Sequence, residues 1–211
     1  MRFSNDNVLF WQDGQLLVNK VATDLKTSLD LDRSTRTLTL NDANISLNGI
    51  TFDVKGTLKR DTVRRALNVD IAYALHAPSL ETVFNMIPES VLKRESMEAR
   101  GSVKMEGDVK GWYGKQQMPA VTLKVQIDKA SAKYDKLPYG IDNFTADFYA
   151  FVDLMRKQPS YADLKIFHFQ GAHTDILADA KIVNLLEDPD ITFNTKSKVD
   201  LTALAQAFPL Q

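Results

Sequence analysis

The sequence predicts a mainly β chain with short helices, an α+β class. Its antiparallel sheet is built from repeated β-hairpin units punctuated by short amphipathic helices. Three observations carry this. Apolar residues alternate with polar ones over many short segments, the period of a half-buried strand. Turn dipeptides such as Asn48-Gly49 separate those segments. A ten-residue stretch with helical spacing occurs twice, each time after a run of β sequence.

Taken in order, Val8–Trp11 and Gln15–Val18 read as short strands about the turn Asp13-Gly14, and Asp24–Asp32 follows with Leu25, Leu29 and Leu31 apolar. Thr37–Leu40 alternates with Leu38 and Leu40 on one face. Ile45 and Leu47 lead into Asn48-Gly49, and Ile50, Phe52 and Val54 alternate on the return. Lys59–Arg65 is basic and reads as a solvated turn. Val69–Leu75 is a strand with Val69, Ile71, Tyr73 and Leu75 on one side. Glu89–Glu98 is a charged connector, and Ala99–Val109 alternates weakly, with glycines that suggest bends or bulges. Val121, Leu123, Val125 and Ile127 make the clearest period-2 strand. The β pattern continues through Ala130–Tyr134 and Ile141–Phe148, while Phe151–Gln158 is a loop or a short helix. Leu164–Gln170 and Asp175–Val183 are strands around Gly171, and Ile191–Val199 is the last strand.

The two helical stretches are Ser79–Pro88 and Asp200–Pro209. Ser79 and Asp200 are good N-caps, whose side-chain oxygen accepts from a free backbone N–H. Leu80, Val83, Phe84 and Ile87 fall on one helical face, as do Leu201, Leu204, Ala205 and Phe208. Each stretch ends on a proline, which cannot donate the next helical hydrogen bond. The halves align: Ile45, Leu47, Gly49 and Asp53 match Phe167, Phe169, Gly171 and Asp175 at 171 − 49 = 122. The expected organisation is one β-rich segment over 1–211, with approximate units 15–88 and 139–209 joined by 89–138, neighbours completing each other's core.

Composition narrows the function classes. The net charge of −1 gives no electrostatic reason to expect nucleic acid. With no cysteine there is no thiol nucleophile, thiolate metal site or disulfide. No apolar run approaches the roughly 18–20 residues of a membrane span. The first residues, Met1-Arg-Phe-Ser-Asn-Asp, lack an apolar signal core. Both ends read as cut from a longer protein, so any targeting segment is expected elsewhere.

No constellation names a reaction, and the expectation is a non-enzyme without cofactor or metal. His168 and His173 flank the Gly171 turn with Asp175 nearby, but the spacing matches no ligand motif and two polar turn residues are the simpler reading. Asp53 and Asp175 recur between the halves, as turn-shaping or solvent-facing carboxylates rather than an acid–base pair. Lys59-Arg60 and Arg64-Arg65 could touch anionic headgroups, with a solvated turn as the plainer reading. Trp11 and Trp112 read as packing residues. Many strands with one apolar face and only two short helices leave two shapes open. The sheet folds into a closed sandwich or barrel, or it curls and leaves an apolar trough, an exposed patch of the kind that marks an interaction surface. Pattern alone favours closure modestly.

The strands Thr37–Leu40 and Ile45–Val54 and the run Ala77-Pro78-Ser79-Leu80 to Ile87-Pro88 carry a family resemblance. So do Gly107-Asp108-Val109-Lys110-Gly111, Met118-Pro119-Ala120, Tyr134-Asp135-Lys136-Leu137-Pro138, Leu185-Leu186-Glu187-Asp188-Pro189 and Val199-Asp200-Leu201-Thr202-Ala203-Leu204. Together they resemble the AsmA-like family of bacterial envelope proteins, in particular the long Bacteroidetes-type forms. The resemblance implies a strongly curved sheet with an apolar inner groove, in a periplasmic repeat segment of a parent protein anchored in the inner membrane. It also implies a part in outer-membrane biogenesis, with related proteins proposed to carry phospholipid or another acyl-chain lipid along the groove, and no catalytic residues. The groove candidates are Ile45, Leu47, Phe52, Val54, Val69, Ile71, Tyr73, Val121, Leu123, Val125 and Ile127. The alternative is a closed structural or protein-binding β module of the envelope with no lipid ligand.

Overall fold

The computed structural model describes residues 2–12, 15–82, 97–134 and 139–203. Among them, eleven strands form one antiparallel sheet whose spatial order is the chain order. They are β1 (Arg2–Gln12), β2 (Gln15–Asp32), β3 (Thr37–Leu47), β4 (Ile50–Asp61), β5 (Ala66–Ala77) and β6 (Met97–Tyr113). β7 (Ala120–Tyr134), β8 (Ile141–Val152), β9 (Tyr161–Gly171), β10 (Thr174–Val183) and β11 (Asp190–Lys198) complete it. Short connections favour antiparallel neighbours, and a meander results. The sheet is curved and does not close. β1 pairs with β2 and β11 with β10, and they do not pair with each other.

The strands are longer than the sequence pattern suggests. Thr37–Leu40 and Ile45–Leu47 are one strand, because the register shift between Leu40 and Ala43 absorbs an extra residue. Val121–Ile127 and Ala130–Tyr134 are likewise continuous in β7, through a register shift at Lys129, whose φ is 45°. A bulge reverses the apparent phase of alternation without ending the strand, and it bends and twists the ladder locally. The expected break points are therefore bends in long strands.

The hairpin turns β3–β4 and β9–β10 are closed by Leu47↔Ile50 and Gly171↔Thr174. Both central residues of each have positive φ, namely Asn48 (49°) and Gly49 (85°), then Ala172 (49°) and His173 (55°). That is the twist-matched geometry of a two-residue hairpin. The closing pairs set the offset between hairpins at 171 − 47 = 124, two more than Gly49 and Gly171 indicate. Each hairpin is followed by a third strand and then a capped helix start. Glu81 N donates to Ser79 Oγ (3.1 Å), and Thr202 N and Ala203 N both donate to Asp200 Oδ1 (3.0 Å each).

Helix is present at 80–82 and 201–203, and the remainder of both helical stretches lies outside the described residues, as do 89–96 and the turn Asp13-Gly14. In the second helix start the buried position is Ala203, packed with Ala172 and Tyr139, while Leu201 is 74 % exposed. The expected stripe began at Leu201. Seating over the β9–β10 turn selects the small alanine instead.

Phe151–Gln158 is not a helix. Phe151 and Val152 finish β8, and a loop follows. The buried Asp153 carboxylate organises it, accepting from Met155 N (2.9 Å), Lys157 N (3.0 Å) and Gln158 N (3.1 Å). Ser160 Oγ accepts from Asp153 N (2.8 Å). Removing a buried charged acceptor costs about 2–3 kcal/mol. Asp153→Ala is expected to lose about that much in a urea melt, and an unchanged midpoint would remove the carboxylate from this role.

Asp32 builds the β2–β3 turn. Its carboxylate accepts from the hydroxyls of Ser34 (2.6 Å) and Thr35 (2.8 Å) and from both backbone N–H groups. Those bonds, the hydroxyls first, hold its pKa down from 3.8 to about 2. A depressed carboxylate stabilises the fold above the unfolded value. That stabilisation is lost as pH falls from about 3.8 through about 2. A carboxyl NMR titration should therefore find the Asp32 midpoint near 2, whereas a midpoint near 3.8 would mean the turn bonds do not form in solution.

Candidate functional site: one apolar face of an open sheet

Directly paired residues in an antiparallel ladder point to the same side of the sheet. Following the pairs across the strands defines two faces. One transverse row reads Leu25, Ile45, Phe52, Leu75, Met105, Val125, Phe148, Leu164, Ala180 and Phe193, from β2 to β11. Every member is apolar. At roughly 4.8 Å between strands, the row is about 43 Å long. A neighbouring row on the opposite face reads Asn44, Asp53, Ala74, Glu106, Lys124, Tyr149, Asp163, Lys181 and Thr192. It is charged or hydrogen-bonding at almost every step.

All eleven groove candidates fall on the apolar face. Ile45 and Leu47 of β3 pair with Phe52 and Ile50 of β4. Val54 pairs with Tyr73, and Val69 and Ile71 pair with Gly111 and Val109. Val121, Leu123, Val125 and Ile127 pair with Val152, Ala150, Phe148 and Ala146. The same face also carries Leu38, Leu40, Leu58, Leu67, Phe144, Phe167, Phe169, Ile176 and Ile182, which the candidate set omitted. The sequence sets Leu38 and Leu40 on one face and matches Phe167 and Phe169 to Ile45 and Leu47, but bulges reverse the parity along those strands, so only the ladder joins them to the common face. Phe144, Ile176 and Ile182 stand in recognisable alternation.

No second layer covers this face among the described residues, and no large side chain there is fully buried. The buried apolar residues are mainly alanines, such as Ala77, Ala99 and Ala130. Lateral neighbours and sheet curvature leave most of the larger ones half-buried. Exposure rises toward the ends, where Leu29 and Leu31 of β2 reach 57 and 58 %, and Ile191 and Phe193 of β11 reach 61 and 60 %. This face is therefore half-buried in the middle strands and more exposed toward the outer ones.

Tyr73 lies on this apolar face, opposite Val54 and Gly107. Its ring lies over Gly107, and its hydroxyl donates to Thr122 O at 2.8 Å. Thr122 Oγ1 accepts from Asp108 N (2.8 Å), so side chains satisfy the backbone where the β6–β7 ladder opens. Burial first, and then the Asp108 carboxylate, raise the Tyr73 phenol above its ordinary value. A Cβ at Gly107 would stand 2.1 Å from Thr122 O and 2.6 Å from the Tyr73 hydroxyl.

The other candidate residues lie on the polar face and at the β9–β10 turn. His168 Nε2 bonds Asp175 Oδ1 (3.1 Å) and Gln170 Nε2 donates to Asp175 Oδ2 (3.0 Å), so the Gln170 bond first, then His168, lowers the Asp175 pKa. His173 turns instead toward Asp200 (3.7 Å) and the Tyr139 ring. No group of three or more potential metal ligands occurs among the described residues. Asp53 accepts from Asn44 Nδ2 (2.6 Å), a cross-strand pair on the polar face. Trp112 is stacked under Arg64, 4.7 Å from its centroid. A depression of about 570 Å³ on the polar face is bordered by Asp53, Lys55, Glu106, Asp108 and Lys124. Lys124 pairs with Glu106 there (3.2 Å).

No family model, curated protein or solved structure matches this chain. No helix among the described residues is long and apolar enough to cross a membrane. Gly107→Ala should cost about 1–3 kcal/mol by overpacking against backbone. Chemical denaturation measures it, and a neutral result would contradict the close approach of Tyr73.

Proposed function

We propose that this chain is a non-enzymatic, periplasmic lipid-handling segment of an AsmA-like envelope protein. Its parent would be anchored in the inner membrane and serve outer-membrane biogenesis. The observation that supports it is the unbroken apolar row from Leu25 to Phe193 on a sheet that does not close. An acyl chain laid on that row leaves water, each buried methylene contributing roughly 0.8 kcal/mol. A passive, non-directional surface of this kind needs neither cofactor nor catalytic group. The sealed structural module is the less favoured reading, because its apolar face requires a covering layer.

Mass spectrometry of lipids extracted from the purified chain tests the proposal. Stoichiometric phospholipid is expected, and Leu123→Arg, which sets a cation on the trough floor, should remove it while leaving the chain folded. A lipid-free native chain that binds no apolar dye would sink the reading.

A further inference from the structure

We infer that a cleft at the β4–β5 and β6–β7 end of the trough is a binding site for the phosphate of a lipid headgroup. This deepens the lipid-handling reading and rests on it. The cleft, about 620 Å³, is lined by Arg60, Thr62, Arg65, Leu67 and Tyr113. Arg60 pairs with Leu67, which pairs with Tyr113, so all three belong to the apolar face. The cleft therefore adjoins the trough at its rim, with Leu58 and Val69 next in line along the same face.

Hydrogen bonds order that rim. Arg60 N donates to Arg36 O (3.0 Å), and Arg36 Nη1 donates to Thr62 Oγ1 (2.7 Å), tying the β2–β3 turn to the β4–β5 turn. Arg64 is committed: it lies 3.7 Å from Asp61 and stacks on Trp112, whose partner Asn68 places it on the polar face. Asp61 is occupied as well, accepting from Val63 N and Arg64 N (2.9 Å each). Asp32 is spent on its own turn. Arg60 and Arg65 have no carboxylate within ion-pair distance among the described residues. Two uncompensated guanidiniums beside a hydroxyl, at the mouth of an apolar surface, match a phosphate attached to an acyl chain. Guanidinium donors suit phosphate oxygens, and the chain continues over Leu67.

The test measures binding of a fluorescent short-chain phosphatidylglycerol and the matching uncharged diacylglycerol to the intact chain, with inorganic phosphate as competitor. The double variant R60Q/R65Q should bind phosphatidylglycerol about tenfold more weakly and diacylglycerol within about twofold of the parent. R60K/R65K, which keeps the charge, should recover part of the loss. Equal binding of the charged lipid by parent and double variant would overturn the headgroup site while leaving the trough intact. Failure of the parent to bind diacylglycerol would overturn the trough itself, and the site with it. Inorganic phosphate binding as tightly as the lipid would make this a free-phosphate cleft and overturn the lipid assignment.

Discussion

The structure depends on one constraint, that paired residues of an antiparallel ladder share a face. In a meander of this length the constraint propagates: once Leu25 and Ile45 are paired, the side of every later residue follows from the register. A one-residue slip anywhere would turn apolar side chains into the polar row downstream. The bulges in β3, β7 and β9 are extra residues that would cause such a slip if they were not looped out of the ladder. They keep Leu38 and Leu40 on the side of Ile45, and Leu164 on the side of Phe167. They also bend the sheet. The same devices thus preserve the apolar face and contribute to its curvature.

Among the described residues the sheet is a single layer, and that gives it a particular energetic character. In a two-layer domain large side chains interdigitate and disappear from solvent. Here it is mainly alanines that are buried, and the phenylalanines and leucines remain partly accessible. Hydrogen bonding and lateral contacts hold the sheet, while part of the hydrophobic driving force stays unspent on its apolar face. The local polar anchors are correspondingly elaborate. Asp153 gathers its loop, Asp32 its turn, and Asp200 the start of a helix, whose Ala203 N–H bond leads the causes that depress its carboxyl. These anchors sit at strand ends, where an open sheet has fewest neighbours.

Much of this was legible in the residues. Alternation in Val121–Ile127 and Val69–Leu75 marks strands and their apolar side directly. The N-cap chemistry of Ser79 and Asp200 is local and holds in the folded chain. Asn48-Gly49 marks its hairpin because type I′ geometry needs those residue types. Ala172-His173 adopts the same geometry without that signature, so the sequence places the second turn on Gly171. Strand length was not legible, because a bulge looks like a boundary when only one strand is in view. Closure was not legible either: alternation describes a sandwich and an open trough equally well, and the partner strands decide. The rim cleft depends on which cations are already paired, which is a property of the assembled turns.

In the proposed function, the apolar face meets lipid and the polar face meets water. The chain contains no cysteine, so single cysteines introduced along β7 carry spin labels without background. Accessibility of those labels to oxygen and to a water-soluble nickel chelate, measured with phospholipid bound, reads the environment of each position. Alternation with period two is expected. Val121, Leu123, Val125 and Ile127 should favour oxygen, and Thr122, Lys124 and Gln126 should favour the chelate. Equal chelate access at odd and even positions, or low access to both probes at the odd ones before lipid is added, would contradict an open apolar trough.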